Sequence, residues 1–456
     1  MTNHNDNEFR AATLGRFIAE TAAEAIPPQV RARAQTMLLD VLASAAGGFP
    51  TALATSKRGA AEHMFPGGTA GVWYATERLS PAGAAFANSG AATALDIDDG
   101  HRGAAGHAGG AVVPVALAMA EAYGASGPAL VDAIVLGYDI ALRIGASRHT
   151  HRIEHYNSGV WAVYGAAAAA GRLIGLDAGQ MTQALAIAGA EAPMSLPTGV
   201  SKRTGSMVKE GLPWAAVTGM AAAKRARAGG TGPEDLLDRP DVYDFATMTG
   251  ALGERFEITQ TYLKPYACCR YTHAPIDAIT VLRRPGVPVR ALTVEVFAEG
   301  LNLQNSPAPH SLEAAQYSYP FCCALAALRG PDALRPMRPE MLADADVLDL
   351  AARVDLRASP DFASDFPART PARVTLDQGD GPKTLTVEYP RGDVANPMPR
   401  EEIEEKFRVL AEGFLPEWTV AAVTAAADGL ERDGPEPLYS ALAGRGAVAP
   451  VALATR

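Results

Sequence analysis

The spacing of apolar residues changes twice along this chain, and that double change limits the folds open to it. From Glu8 to about Arg227 apolar residues recur every three or four positions, as in "AQTMLLDVLASAAGG", "LVDAIVLGYDIALRIG" and "MTQALAIAGA", the spacing that lays one face of an α-helix against a core. After about Leu263 the spacing drops to two. "ALTVEVFAEG" sets Leu292, Val294 and Val296 on one face, and "ARVTLDQGDGPKTLTVEYP" alternates on both sides of a Gly-Asp-Gly turn, which predicts strands and a hairpin. Helical spacing returns in "REEIEEKFRVLAEGF" and "PEWTVAAVTAAADGL". The expected fold is mostly α: a large all-helical domain built from both chain ends, residues 1–263 and 396–456, with a smaller α+β lid domain inserted at 264–395. Inside the insertion, "SLEAAQYSYPFCCALAALRG" predicts one long helix.

Alanine and glycine dominate the helical faces, which lets helices approach closely. Ser80-Pro81 and Gly127-Pro128 mark helix starts, because proline gives up no hydrogen bond in the first turn. A net charge of -10 leaves no basic field to gather phosphates, so nucleic acid is not an expected partner. The N-terminal "MTNHNDNEFRAATLG" lacks the basic start and apolar run of a signal peptide, and Arg172 with flanking glycines interrupts "GVWAVYGAAAAAGRLIG" short of a membrane span. The expectation is a cytoplasmic protein that engages no membrane. The four cysteines form two adjacent pairs, Cys268-Cys269 and Cys322-Cys323. Neighbouring cysteines bridge each other only with strain, so reduced thiols are expected.

Four segments carry ionisable groups that folding alone does not need. The first, "LDIDDGHRGAAGHAGGAVVP", places Asp96, Asp98, Asp99, His101 and His107 in a glycine-rich loop between two helical patterns. Its spacing does not fit a calcium loop, since the twelfth position is His107 rather than glutamate. The plain alternative is helix capping by Asp98 and Asp99 with solvated histidines. The second is Lys209 in "TGSMVKEGLPW", at the mouth of an apolar helix, where it can hold a carboxylate, act as a base if buried, or simply reach out to solvent.

The third is "RHTHRIEHYNSGVW" with His149, His151 and His155; its irregular, charged sequence favours one functional histidine over a zinc triad. The fourth is "KPYACCRYTH". Adjacent cysteines suit neither a zinc pair nor a C-x-x-C redox site. That leaves His273 as acid or base, with Lys264 and Arg270 as carboxylate binders.

Taken in order, D-x-D-D with H-x-G and V-V-P at 96–114, "SGVWAVYGAAAAAGRLIGLD", "GSMVK", "KPYACCRYTHAPIDA" and "NLQNSPAPHSLEAAQYSYPF" resemble the MmgE/PrpD family, which includes 2-methylcitrate dehydratase, cis-aconitate decarboxylase and iminodisuccinate epimerase. The resemblance covers nearly the whole chain. It implies a helical domain with an α+β lid, usually a homodimer, and an active site in the interdomain cleft that needs neither metal nor cofactor. It also implies catalytic roles for Asp96, His107, His155, Lys209 and His273.

Four positions depart from the family pattern: Gly100 stands where many members have threonine, Leu212 where they have histidine, Phe321 at a frequent tyrosine, and Tyr156 near where they have the histidine before T-G. The activity implied is a lyase of the 2-methylcitrate dehydratase kind, abstracting a proton next to a carboxylate of a small di- or tricarboxylate. A decarboxylase or epimerase on the same site, and a metabolite-binding protein without catalysis, are the alternatives.

Overall fold

The computed structural model describes residues 8–150, 157–194 and 206–444. Nine helices lead the described part of the chain: α1 (Arg10–Glu20), α2 (Pro28–Gly48), α3 (Ala52–Met64), α4 (Pro81–Thr93), α5 (Gly109–Tyr123), α6 (Gly127–Ser147), α7 (Gly159–Leu173), α8 (Ala178–Ala190) and α9 (Leu212–Arg227). The two Ser/Gly-Pro signals hold. Ser80 caps α4 by accepting from the amide of Gly83, and Ser126 caps α6 by accepting from that of Ala129. Small residues permit close contact, as where α6 crosses α7: a Cβ on Gly165 would overlap the carbonyl of Gly137, so any side chain there would force the two helices apart.

The C-terminal helices Arg400–Ala411 and Glu417–Asp428 return to pack on α2. Phe414 stacks on Phe49 with ring centroids 4.8 Å apart, and Lys406 Nζ donates to Asp40 Oδ1 at 2.6 Å and to the carbonyl of Ile97 at 2.7 Å. The last bond ties the returning segment to the acidic loop. No single helix among the described residues is long and apolar enough to cross a membrane.

The α+β unit has its own core. Four strands, β1 (Ala291–Val296), β2 (Asp355–Ala358), β3 (Ala372–Asp377) and β4 (Pro382–Val387), form a sheet in the order β2-β1-β3-β4. β1 pairs parallel with β2, and the other neighbours run antiparallel. Leu292, Val294 and Val296 lie opposite Leu376, Val374 and Ala372, so the alternation in both strands turns one apolar face inward. Helix His273–Leu282 covers β3 and β4 and packs on helix Tyr319–Arg329. All four cysteines are buried free thiols in this region, with the Cys268 sulfur accepting from Thr272 Oγ1 at 3.0 Å.

The long helix expected from "SLEAAQYSYPFCCALAALRG" is broken. Leu312–Ala315 and Tyr319–Arg329 are separate helices, because Ser318 takes an extended backbone, accepts from the amide of Phe321, and is followed by a proline two residues on that suits a first turn. Gln316 and Tyr317 fall in the break.

Candidate active site

The acidic loop runs from the end of α4 to the start of α5, and a two-residue ladder pairs Gly100–His101 with Thr261–Tyr262. That ladder brings the loop against the segment leading into the α+β unit. Asp96 sits at φ 53°, a left-handed conformation that aspartate and asparagine adopt more readily than other residues with a side chain. Its carbonyl accepts from Lys264 Nζ at 2.6 Å. Its Oδ1 lies 3.5 Å from Lys209 Nζ, 3.5 Å from Lys264 Nζ and 3.6 Å from His107 Nε2, and accepts from the Tyr317 hydroxyl at 3.4 Å. One carboxylate thus gathers two ammonium groups, an imidazole and a phenol.

His107 is held in one orientation. Nδ1 is 2.6 Å from the carbonyl of Asp99; a carbonyl only accepts, so Nδ1 carries hydrogen and Nε2 faces Asp96. Asp98 Oδ2 stands 3.4 Å from the same Nδ1. The backbone amide of His107 donates to Ser158 Oγ at 3.0 Å, and Ser158 Oγ donates in turn to Glu210 Oε2 at 2.6 Å. Asp98 and Asp99 do not cap α5, whose N-cap is Ala108 with no side-chain cap, and His101 and His107 are buried rather than solvated.

Asp99 is fully buried, with the buried Tyr138 hydroxyl beside its carboxylate. Burial, followed by the neighbouring Asp98 and Asp40, pushes its carboxyl up to about 8. The unfolded chain releases this proton near pH 4 while the folded one keeps it to about 8. Stability is therefore expected to fall as pH rises across that window, by up to about 1.4 kcal/mol per pH unit. Asp99→Asn should flatten the slope of Tm between pH 5 and 8. Identical slopes in the two proteins would count against a protonated Asp99.

Lys209 lies in a tight turn just before α9, where Lys209, Glu210 and Gly211 are all left-handed at φ 50°, 53° and 72°. It does not reach solvent; it is 2% exposed, and Nζ donates to Gln316 Oε1 at 2.9 Å and to the Tyr317 hydroxyl at 3.2 Å. The helix break in the α+β unit is what presents these two acceptors. Sequence reasoning missed Tyr317 and aligned the expected tyrosine with Phe321, which lies fully buried in the α+β core.

Lys264 joins the cluster with its side chain fully buried. Burial alone would lower its pKa, but Asp96 and Asp98 outweigh burial and hold it above the ordinary lysine value. Arg270 lines the same cleft, and burial, then Arg102, pushes its pKa down to about 10. His273 stands behind Arg270. Nε2 is 3.2 Å from the carbonyl of Cys268, and Nδ1 is 3.4 Å from Arg270 Nη1. Burial, then Arg270 and Lys264, hold its imidazole well below the usual range. Both ring nitrogens are committed, Nε2 donating and Nδ1 accepting, so the ring is neutral and braces the guanidinium. His155 and His151 lie outside the described residues; His149 pairs through Nε2 with the carbonyl of Pro240 at 3.1 Å, away from the cluster.

The cavity at this junction measures about 40 Å³ and is walled by the acidic loop, the connecting segment 261–272 (the hinge) and the α+β unit. That is room for a water or two. Asp96, Asp98 and His107 form the one group among the described residues whose donor atoms lie close enough to hold a metal, within 4.8 Å of one another. A cation there would sit beside the ammonium groups of Lys209 and Lys264, which already answer the charge of Asp96. The arrangement is suited to holding a carboxylate with fixed cations while an imidazole moves a proton.

Comparison with known proteins finds matches along most of the chain. The family model described as the MmgE/PrpD N-terminal domain matches residues 12–252, and that described as the MmgE/PrpD C-terminal domain matches residues 266–431. A cis-aconitate decarboxylase of Aspergillus terreus is 28% identical over 455 residues, covering 91% of this chain and 92% of its own. A cis-aconitate decarboxylase-like protein of Aspergillus oryzae is 26% identical, covering 89% of this chain and 91% of its own. The human cis-aconitate decarboxylase is 27% identical, covering 78% of this chain and 77% of its own.

Proposed function

The chain belongs to the MmgE/PrpD family, whose relatives named above are enzymes, and from that premise we propose that it is a cofactor-independent lyase acting on a small di- or tricarboxylate, with decarboxylation of a cis-aconitate-type substrate as its reaction. One observation carries the reading: Lys209, Lys264, His107 and Tyr317 converge on Asp96 in a closed cleft. The relatives' names favour loss of carbon dioxide over the dehydration that resemblance to 2-methylcitrate dehydratase implies.

In this reaction the carbon–carbon bond to one carboxylate breaks and its electron pair stays on the substrate carbon, spread into the neighbouring unsaturated acid. Lys209 and Lys264 stabilise that charge where it grows, in a site too small for bulk water. His107 delivers a proton from Nε2 to the carbon and recovers one from solvent when the cleft opens. Asp96 pairs with both ammonium groups and keeps the imidazole aligned, and Tyr317 fixes Lys209. His273 acts by positioning Arg270.

A hydro-lyase is the second reading, favoured by the same His107–Asp96 pair, which can protonate a departing hydroxyl. A panel of di- and tricarboxylates incubated with the protein in deuterated water and followed by NMR separates these outcomes. Decarboxylation is expected, seen as gas release with one deuterium retained in the product. A new alkene without gas selects the hydro-lyase, and exchange alone an epimerase. If no polycarboxylate exchanges a proton or changes, the lyase reading fails.

A further inference from the structure

Three buried polar atoms around this cavity lack any partner: Arg102 Nε, Arg270 Nε and Thr370 Oγ1. They come from three parts of the fold, the acidic loop, the hinge and the α+β unit. Leaving such groups unsatisfied costs stability, so a convergence of three calls for an explanation. Both arginines are held from one side. Their guanidinium carbons lie 5.0 and 4.7 Å from the ring centre of Tyr262, and their Nη2 atoms donate to the same Asp393 Oδ2 at 3.0 and 3.3 Å. Two guanidinium groups therefore share one carboxylate, and a positive charge remains over.

The platform depends on a glycine. A Cβ at residue 100 would overlap the hydroxyl and ring of Tyr262, which is paired with Gly100 across the short ladder. Any side chain there would push Tyr262 aside and take both guanidinium groups with it. The departure at Gly100 is thus coupled to the presence of Tyr262 between the loop and the hinge.

We propose that Arg102, Arg270 and Thr370 form a binding site for a second carboxylate of the substrate, the one that does not react. The inference rests on the lyase reading above and adds which group of the polycarboxylate is recognised, and by what. A carboxylate accepts from both Nε–H groups and from the threonine hydroxyl, and it neutralises the surplus charge. Because Thr370 belongs to the α+β unit, the far carboxylate bridges loop, hinge and lid, so its binding favours the closed cleft in which His107 and the lysines meet.

The test is equilibrium binding by calorimetry of tricarballylate, a tricarboxylate without a double bond, and of crotonate, a monocarboxylate, to wild type, Arg102→Gln and Thr370→Val. Tm shows that each variant is folded. Arg102→Gln is expected to weaken tricarballylate roughly 10- to 100-fold, and Thr370→Val by several-fold, as for loss of a hydrogen bond to a charged group. Crotonate, which fills one carboxylate site at a time, should bind wild type at least about 10-fold more weakly than tricarballylate, and with a turned-over polycarboxylate KM should rise far more than kcat falls. Unchanged tricarballylate affinity in both folded variants overturns the subsite and leaves the lyase reading standing. Arg102-dependent binding of inorganic phosphate without binding of tricarballylate overturns the carboxylate assignment. Failure of wild type to bind or turn over any polycarboxylate removes the lyase reading and this one with it.

Discussion

Lys209→Met is expected to lower kcat/KM by roughly 10²- to 10³-fold, the loss seen when one preorganised donor is removed from a developing negative charge. Methionine keeps the length and apolar stem of lysine, so the buried volume is nearly preserved. The ammonium is lost. Its partners are less exposed to the change than the distances suggest: Asp96 still has Lys264 at 3.5 Å and His107 at 3.6 Å, and Gln316 still donates through Nε2 to the carbonyl of Ala94 at 3.2 Å. The fold should therefore survive, and Tm should move little compared with the fall in turnover. The strained turn at 209–211 supports the same view, because three successive left-handed residues are held only where the surroundings fix them. A loss below tenfold, with wild-type Tm, would make Lys209 a structural cation and shift the charge-stabilising role to Lys264.

Much of this site was legible in the chain because its parts are local. The loop carrying Asp96 and His107 announces itself by ionisable groups among glycines, and the lysine before α9 by its scarcity in an apolar setting. The fold class was legible for the same reason, since spacing of three to four and of two is a property of short windows. What failed to show is what long-range pairing decides. Gln316 and Tyr317 read as two positions of a continuous helix, yet the cap at Ser318 turns them out toward Lys209. Arg102 reads as one charge in a loop, and its importance comes from Asp393, 291 positions away. His273 lies three positions from Arg270 and looks like a companion facing the cleft. The intervening turn at Arg270–Thr272 swings it behind, where its ring meets the carbonyl of Cys268.

Asp96→Asn tests the hub itself. Asparagine matches aspartate in shape and tolerates the left-handed backbone at φ 53°, so the loop should keep its course. Only the charge goes. The expected result is a loss of roughly 10²- to 10⁴-fold in kcat/KM, since the imidazole loses the anion at Nε2 and the ammonium groups their shared partner. Stability should fall as well. Removing one partner of a buried ion pair costs about 3–5 kcal/mol when the other is left uncompensated, and less here because Asp98 still acts on Lys264. The pH dependence separates this from a packing defect. In the wild type Lys264 is held above its unfolded value near 10.4, so it keeps its proton in both states and adds no slope between pH 8 and 10. Without Asp96, burial becomes the dominant influence and draws Lys264 below that value. The folded variant then sheds the proton before the unfolded chain does, and its stability rises with pH. The Tm deficit of Asp96→Asn should narrow between pH 8 and 10. Two Tm curves that stay parallel across that range would mean that Asp98 alone suffices to keep Lys264 charged, and that Asp96 serves the chemistry rather than the buried lysine.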